Sequence, residues 1–207
     1  MPANLLIHEE ISAPQSPERW FFALLPDEPL RAAIEVQARA LRQSQHAAGR
    51  ALNPQRYHLT LRYLGQYSAA PAWLEPAARA AAAQVRVSEF VWALDRAGSF
   101  EKSRVWWLGV DQLSPALAEM REALDRELLA TGAPWPADRD GFHPHVTVQR
   151  EVRVPMAAPI TPLSWRVREF VLIRSRPQQP YEVITRWPCR GAESTTPEWS
   201  AHPGARN

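Results

Sequence analysis

The sequence predicts an α+β fold built as a duplicated, bilobal unit, with two antiparallel sheets facing a central cleft and helices on the outer faces. Three observations carry this prediction. Apolar runs of strand length alternate with longer stretches of helical spacing. A strand–helix–strand pattern over residues 19–64 is echoed over residues 104–149. Both copies end in the same tetrad, His58-Leu59-Thr60-Leu61 and His145-Val146-Thr147-Val148. No Gly-rich phosphate loop follows any strand, which argues against a parallel βαβ sheet.

Taken in order, residues 1–16 are polar, carry Pro2, Pro14 and Ser16, and read as a disordered leader. Arg19 to Leu25 is a strand stopped by Pro26. Asp27 caps a helix in which Leu30, Ile34, Ala38 and Leu41 recur at helical spacing, with Gly49 as its stop. Tyr57 to Leu64 is the strand of the first tetrad, and the Ala-rich stretch from Pro71 to Gln84 is a second helix. Ser88 to Phe100 and Arg104 to Val110 form a hairpin around Glu101-Lys102-Ser103. Ser114 and Pro115 start a third helix, striped by Leu117, Leu124 and Leu128 and ended by Gly132. Phe142 to Gln149 carries the second tetrad. Leu163 to Arg174 and Tyr181 to Trp187 close the fold as a strand pair. Residues 17–190 are then one domain of two pseudo-symmetric lobes, and residues 191–207 a disordered tail.

Bulk properties narrow the class. With 207 residues, 45% of them apolar, and nine Trp, the chain has ample core material. A net charge of +2 demands no long nucleic-acid groove, although a local basic patch is compatible with it. Cys189 is the sole cysteine, so no internal disulfide can form, which fits a reducing cytoplasm. No stretch approaches the roughly 20 apolar residues of a membrane helix. The expected location is the cytoplasm, and the expected state a monomer.

The chemistry lies in the tetrads. Alternate side chains of a strand share a face, so His58 and Thr60 point one way while Leu59 and Leu61 point the other; His145 and Thr147 stand likewise against Val146 and Val148. Two imidazoles, each with a hydroxyl two residues on, are the parts for acid–base attack on a phosphate ester without metal. One takes a proton from water, the other gives a proton to the leaving oxygen, and the hydroxyls hold phosphate oxygens. Imidazole, with a pKa near 6.5, can serve either role close to neutrality. The spacing alone does not assign the two roles.

These residues resemble the 2H phosphoesterase superfamily, and within it the bacterial RNA 2′,3′-cyclic phosphodiesterases of the LigT-like type. The resemblance runs over roughly residues 18–190. Beyond the two tetrads it includes Phe21-Phe22-Ala23-Leu24, Arg62-Tyr63-Leu64-Gly65, Gly98-Ser99-Phe100, Trp107-Leu108-Gly109-Val110 and Tyr181-Glu182-Val183. It implies a metal-independent, cofactor-free enzyme that opens a terminal 2′,3′-cyclic phosphate to a 2′-phosphomonoester. Its partners are RNA termini or nucleotides bearing that group. It further implies that His58 is the proton donor, that His145 is the proton acceptor, and that Thr60 and Thr147 bind phosphate oxygens.

Other residues are candidates for the substrate. Arg150 follows the second tetrad where similar proteins carry an Arg on the phosphate, but strict alternation puts it on the wrong face, so a bend or bulge after Val148 is required. Arg62 shares the face of His58 and can meet phosphate or neighbouring backbone. Phe22 and Tyr181, with Tyr63 and Phe142, are the aromatics nearest the tetrads and offer base stacking, with core packing as the alternative. His143 sits two residues before His145; support of the strand start or of the catalytic imidazole from behind is the expected role, against a metal site that ordinarily needs three or more protein ligands. No Gly-x-Ser-x-Gly elbow is present. Three readings therefore stand: cyclic phosphate hydrolysis, reversible 2′–5′ joining or another small cyclic diester on the same site, and non-catalytic binding of RNA ends.

Overall fold

Asp27 fixes the start of the first helix. Its backbone is extended and its carboxylate accepts from the Leu30 N–H at 3.0 Å, satisfying a donor that the helix itself cannot. In the computed structural model, which describes residues 17–137 and 141–190, this helix α1 (Glu28–Ser44) follows β1 (Glu18–Leu24). It buries Leu30, Ile34 and Ala38. The expected stop at Gly49 lies too late. The turn is made by His46 at φ 47°, with the Ala47 N–H donating to the Arg42 carbonyl and the His46 N–H to the Gln43 carbonyl, a left-handed cap usually given to glycine. Gly49 serves a different end. A Cβ there would lie 2.7 Å from the Arg150 carbonyl oxygen, so only glycine lets the chain pass so close to the second tetrad's strand.

The remaining elements are β2 (Arg50–Ala51), a 3₁₀ turn (Pro54–Arg56), β3 (Leu59–Tyr67), α2 (Leu74–Gln84), β4 (Phe90–Phe100), β5 (Val105–Gly109), α3 (Pro115–Ala130), β6 (His145–Arg150), β7 (Ala157–Val167), β8 (Glu169–Ser175) and β9 (Glu182–Pro188). The expected leader and tail, residues 1–16 and 191–207, lie outside the described residues.

Two points of architecture depart from expectation. The strands join in one antiparallel sheet, ordered β7-β4-β5-β6-β3-β1-β8-β9 with β2 added on β6, where two sheets were expected. The halves meet through a single register pair, Leu59 with Val146, on the two tetrad strands. The expected strand over Leu163–Arg174 is also broken, with Arg168 alone between β7 and β8. β7 pairs with β4 and β8 with β1. Flat, a sheet in that order would hold these two strands about 29 Å apart, six spacings of about 4.8 Å. A one-residue link is far too short for that, so the sheet curls strongly.

The helices tie the halves together. α1, which follows β1, packs against β6 and β7; α3, which precedes β6, lies on β3; α2 packs against α3 and β9. Each strand–helix–strand stretch thus lends its helix to the other half, and residues 19–64 and 104–149 are not self-contained lobes. One continuous core results. Trp20, Phe22, Leu24, Leu59, Leu61, Val146 and Val148 enter it from the strands, and Leu30, Ile34, Leu74, Ala78, Leu117, Leu124 and Leu128 from the helices. A smaller apolar cluster of Phe21, Ala23, Val171 and Ile173 lies apart from it, with Leu25, Tyr181 and Val183 against it. Among the described residues, no helix is long and apolar enough to cross a membrane.

Candidate active site

Alternation along β3 and β6 builds the site. Leu59, Leu61, Val146 and Val148 are each at most 1% exposed and anchor both strands in the core. That leaves His58, Thr60, His145 and Thr147 on the opposite face. Extending the Leu59–Val146 register by one residue in each direction sets His58 across from Thr147 and Thr60 across from His145. On that register the four residues occupy a quartet of positions, imidazoles at one diagonal and hydroxyls at the other, with Thr147 buried and lining neither of the cavities that hold the two imidazoles. Diagonal neighbours on paired strands are about 7–8 Å apart, a spacing that one phosphate group can bridge.

Both imidazoles are oriented in the same way. Nδ1 of His58 bonds the Arg56 carbonyl at 2.9 Å, and Nδ1 of His145 bonds the His143 carbonyl at 2.7 Å. A carbonyl only accepts, so Nδ1 carries the proton and Nε2 of each ring is left for the ligand. His143 thus meets His145 through its backbone carbonyl. Burial, opposed by the Arg56 carbonyl and reinforced by the charges of His145, Arg150 and Arg56, pushes the His58 pKa down to about 4. The pKa of His145 is also lowered, chiefly by burial, with its backbone bond opposing and His143 and Arg150 adding to the shift.

Aromatic rings frame each imidazole. The Phe21 ring centroid lies 5.0 Å from that of His58, and Tyr181 meets His58 edge-on at 5.2 Å. The Tyr181 hydroxyl is 3.4 Å from His58 Nδ1. On the other side, Phe100 meets His145 edge-on at 4.9 Å, backed by Trp107 at 6.3 Å. Phe22 is absent from this frame. It is fully buried against Phe170 and Trp187, because it shares the core face of β1 with Trp20 and Leu24. The neighbouring residue, Phe21, holds the position expected of it. Phe142 lies beneath the Arg121 guanidinium, 5.2 Å from its ring centroid, while Tyr63 is exposed.

The bend that Arg150 requires is present. Thr147 pairs with Trp107 and Gln149 with Trp106, so Val148 is an extra residue in β6, a bulge that resets the alternation. Arg150 consequently lines a cavity of about 770 Å³ together with His58, Thr60, Phe21 and Tyr181. A second cavity of about 750 Å³ holds His145, His143, Phe100 and Phe142, and the two share Thr60 and Tyr63. Arg62 takes the backbone option. It donates to the Pro136 carbonyl at 2.6 Å and pairs with Asp125 at 3.2 Å, although it borders the second cavity. Among the described residues, no three His, Cys, Asp or Glu side chains are grouped to hold a metal ion.

Arg19, Arg50 and Arg56 also line the His58 cavity, and sequence reasoning does not single them out. Only Arg56 has a local signal, two residues before His58. Arg50 reaches the site because β2 pairs with β6, setting it opposite Arg150.

Comparison with known proteins shows the family. Residues 26–179 match the family model described as the 2′-5′ RNA ligase superfamily. The chain is 33% identical over 177 residues to the RNA 2′,3′-cyclic phosphodiesterase of Escherichia coli strain K12, covering 83% of this chain and 96% of that protein. Among solved structures, E. coli LigT in apo form superposes with a TM-score of 0.67 at 31% identity, covering 84% of this chain and 99% of that one. E. coli LigT complexed with 3′-AMP gives a TM-score of 0.65 at 29% identity, covering 84% and 98%. The chain belongs to the 2′-5′ RNA ligase superfamily.

Proposed function

We propose that this protein hydrolyses a 2′,3′-cyclic phosphate, at an RNA end or on a nucleotide, to a 2′-phosphomonoester. The observation that carries this reading is the matched pair of imidazoles, each with Nδ1 on a backbone carbonyl and Nε2 left for a ligand, lining adjoining cavities that share Thr60 and Tyr63. His145 Nε2 takes a proton from water as the water oxygen bonds to phosphorus. The bond from phosphorus to the 3′ oxygen breaks, and His58 Nε2 returns a proton to that oxygen. Thr60 and Thr147 donate hydrogen bonds to the non-bridging oxygens, and Arg150 supplies charge that strengthens its hold as negative charge grows in the transition state. His58 must be protonated to act, and an arriving phosphate anion raises its pKa by offsetting the positive charges beside it. The halves β3-β1-β8-β9 and β6-β5-β4-β7 fit a duplicated ancestor with a pseudo-twofold axis through the site. The name of the E. coli relative, and the likeness of this chain to a LigT solved with 3′-AMP, support the choice of substrate.

The test is hydrolysis of a 2′,3′-cyclic nucleotide in the presence of a chelator. His58→Ala and His145→Ala should each lose at least about 100-fold in kcat, the range for a positioned acid or base. Full activity in either variant defeats the proposal. A 5′ hydroxyl in place of water would give a 2′–5′ linkage by the same proton movements. The second cavity, beside His145, has room for the nucleoside bearing it, and product analysis with short RNAs distinguishes the two outcomes.

A further inference from the structure

The His58 cavity is lined by four guanidinium groups, Arg19, Arg50, Arg56 and Arg150, and by no carboxylate. Three of them have no carboxylate partner among the described residues. Arg19 donates to the Gln66 side-chain oxygen at 2.8 Å. Arg56 donates to the Gln179 carbonyl and the Ser175 hydroxyl, both at 3.3 Å, and lies 4.5 Å from the Tyr181 ring centroid. Arg50 has Glu151 at 3.2 Å, in a pair in which both side chains are well exposed. Like charges gathered in one cavity repel and cost stability unless an anion joins them. Their mutual influence is visible at Arg150, whose pKa is lowered first by partial burial and then by Arg19, Arg50 and Arg56, with Tyr181 opposing.

A cyclic phosphodiester carries one negative charge. Arg150, whose charge reaches both imidazoles, matches it with the two threonines. The other three guanidiniums exceed what that single charge needs. They also lie on the His58 side, where the proposed mechanism places the departing 3′ oxygen and hence the ribose that bears it. A substituent on the 5′ carbon of that ribose extends into the arginine-lined space, and a cavity of about 770 Å³ has room for a nucleotide.

We propose that Arg19, Arg50 and Arg56 form a subsite for a second phosphate, attached to the 5′ position of the nucleoside whose cyclic phosphate reacts. The proposal rests on the hydrolytic reading above. The preferred substrate then carries two phosphates on one nucleoside, either as a free 5′-phosphate or as the internucleotide diester of an RNA chain.

The experiment compares kcat/KM for adenosine 2′,3′-cyclic phosphate, its 5′-phosphorylated form, and a diadenylate ending in the cyclic phosphate. A second phosphate should raise kcat/KM at least tenfold, and the preference should fall toward unity in the Arg19→Gln/Arg50→Gln double variant. Preference is a ratio within each protein, so a general loss of activity cancels. A gain for both phosphorylated compounds assigns any 5′-phosphate to the subsite; a gain for the diadenylate alone that the double variant abolishes assigns the internucleotide diester. Equal kcat/KM for all three compounds, or a preference unchanged in the double variant, overturns the proposal. Calorimetric affinity for adenosine 3′,5′-bisphosphate against adenosine 3′-phosphate reads the same subsite without turnover. If no cyclic phosphate is hydrolysed but the bisphosphate binds at least tenfold more tightly, the hydrolytic reading fails and the subsite stands.

Discussion

Phe21 and Phe22, adjacent in the chain, sit on opposite faces of β1: one ring lies 5.0 Å from the His58 imidazole and the other is sealed in the core against Phe170 and Trp187. Their truncations should separate cleanly. Phe22→Ala is expected to cost about 3–5 kcal/mol of folding stability, the usual range for a buried phenyl ring. Phe21→Ala opens the His58 surroundings to water, so the His58 pKa should rise from about 4 toward its ordinary value. Denaturant unfolding reads the first and an NMR titration of the imidazole reads the second; an unmoved His58 titration in Phe21→Ala contradicts this arrangement.

The depressed histidines make stability depend on pH. Between pH 6.5 and about 4 the unfolded chain protonates His58 while the folded protein does not. The unfolded state therefore binds more protons, and folding stability falls as pH drops through that window. His145, lowered as well, acts in the same direction. His58→Gln should show a smaller loss of urea midpoint between pH 7 and pH 5 than the parent protein. An equal loss in both defeats the expectation.

Oxyanion binding should take up protons. An anion between the two Nε2 atoms favours the charged imidazole, so affinity for sulfate, which does not itself titrate in this range, is expected to strengthen as pH falls from 7 to 6. Calorimetry in buffers of different ionisation enthalpy measures the uptake directly. Binding with no change in proton count would show that the anion sits away from the imidazoles.

Asp125 joins both tetrads to the rest of the fold. It accepts from Arg121 Nε at 2.6 Å and pairs with Arg62 at 3.2 Å. Arg121 in turn donates to the Leu61 carbonyl at 2.7 Å, within the first tetrad, and covers Phe142, three residues before His145. Arg62 holds the Pro136 carbonyl. Asp125→Asn removes the charge between two guanidiniums and should cost about 1–2 kcal/mol, the lower part of the charged hydrogen-bond range because the carboxylate is one-third exposed. A fall in kcat alongside that loss is expected; unchanged stability and kcat would remove Asp125 from this role.

Gly98 gives the Trp107 ring its place behind His145. A Cβ at Gly98 would stand 2.2 Å from that ring, whose indole N–H is buried without a protein partner. Gly98→Ala is expected to destabilise by about 1–3 kcal/mol through overpacking. The displaced ring should also change the near-UV circular dichroism and lower kcat. A spectrum and kcat matching the parent would contradict this packing.

How much of the fold and site is legible in the chain depends on range. The quartet is legible because β alternation acts over two residues and each tetrad carries its own buried aliphatics. The need for a bulge near Val148 follows from the same rule. Phe21-Phe22 offers no alternating polar residue to mark which ring faces the core, so the sequence points to the wrong phenylalanine. Arg19 and Arg50 escape notice because only the pairing of β1 with β3 and of β2 with β6 in the folded sheet brings them to the cavity. The single sheet is hidden for a similar reason: Leu59 and Val146 are the one register pair between β3 and β6, and α1 and α3 cross to the opposite half.

Each imidazole is anchored by a carbonyl of its own chain two residues earlier, with no acidic side chain behind either ring among the described residues. Ring orientation is therefore carried by the main chain, and among these residues no carboxylate stands behind either imidazole to favour its charged form.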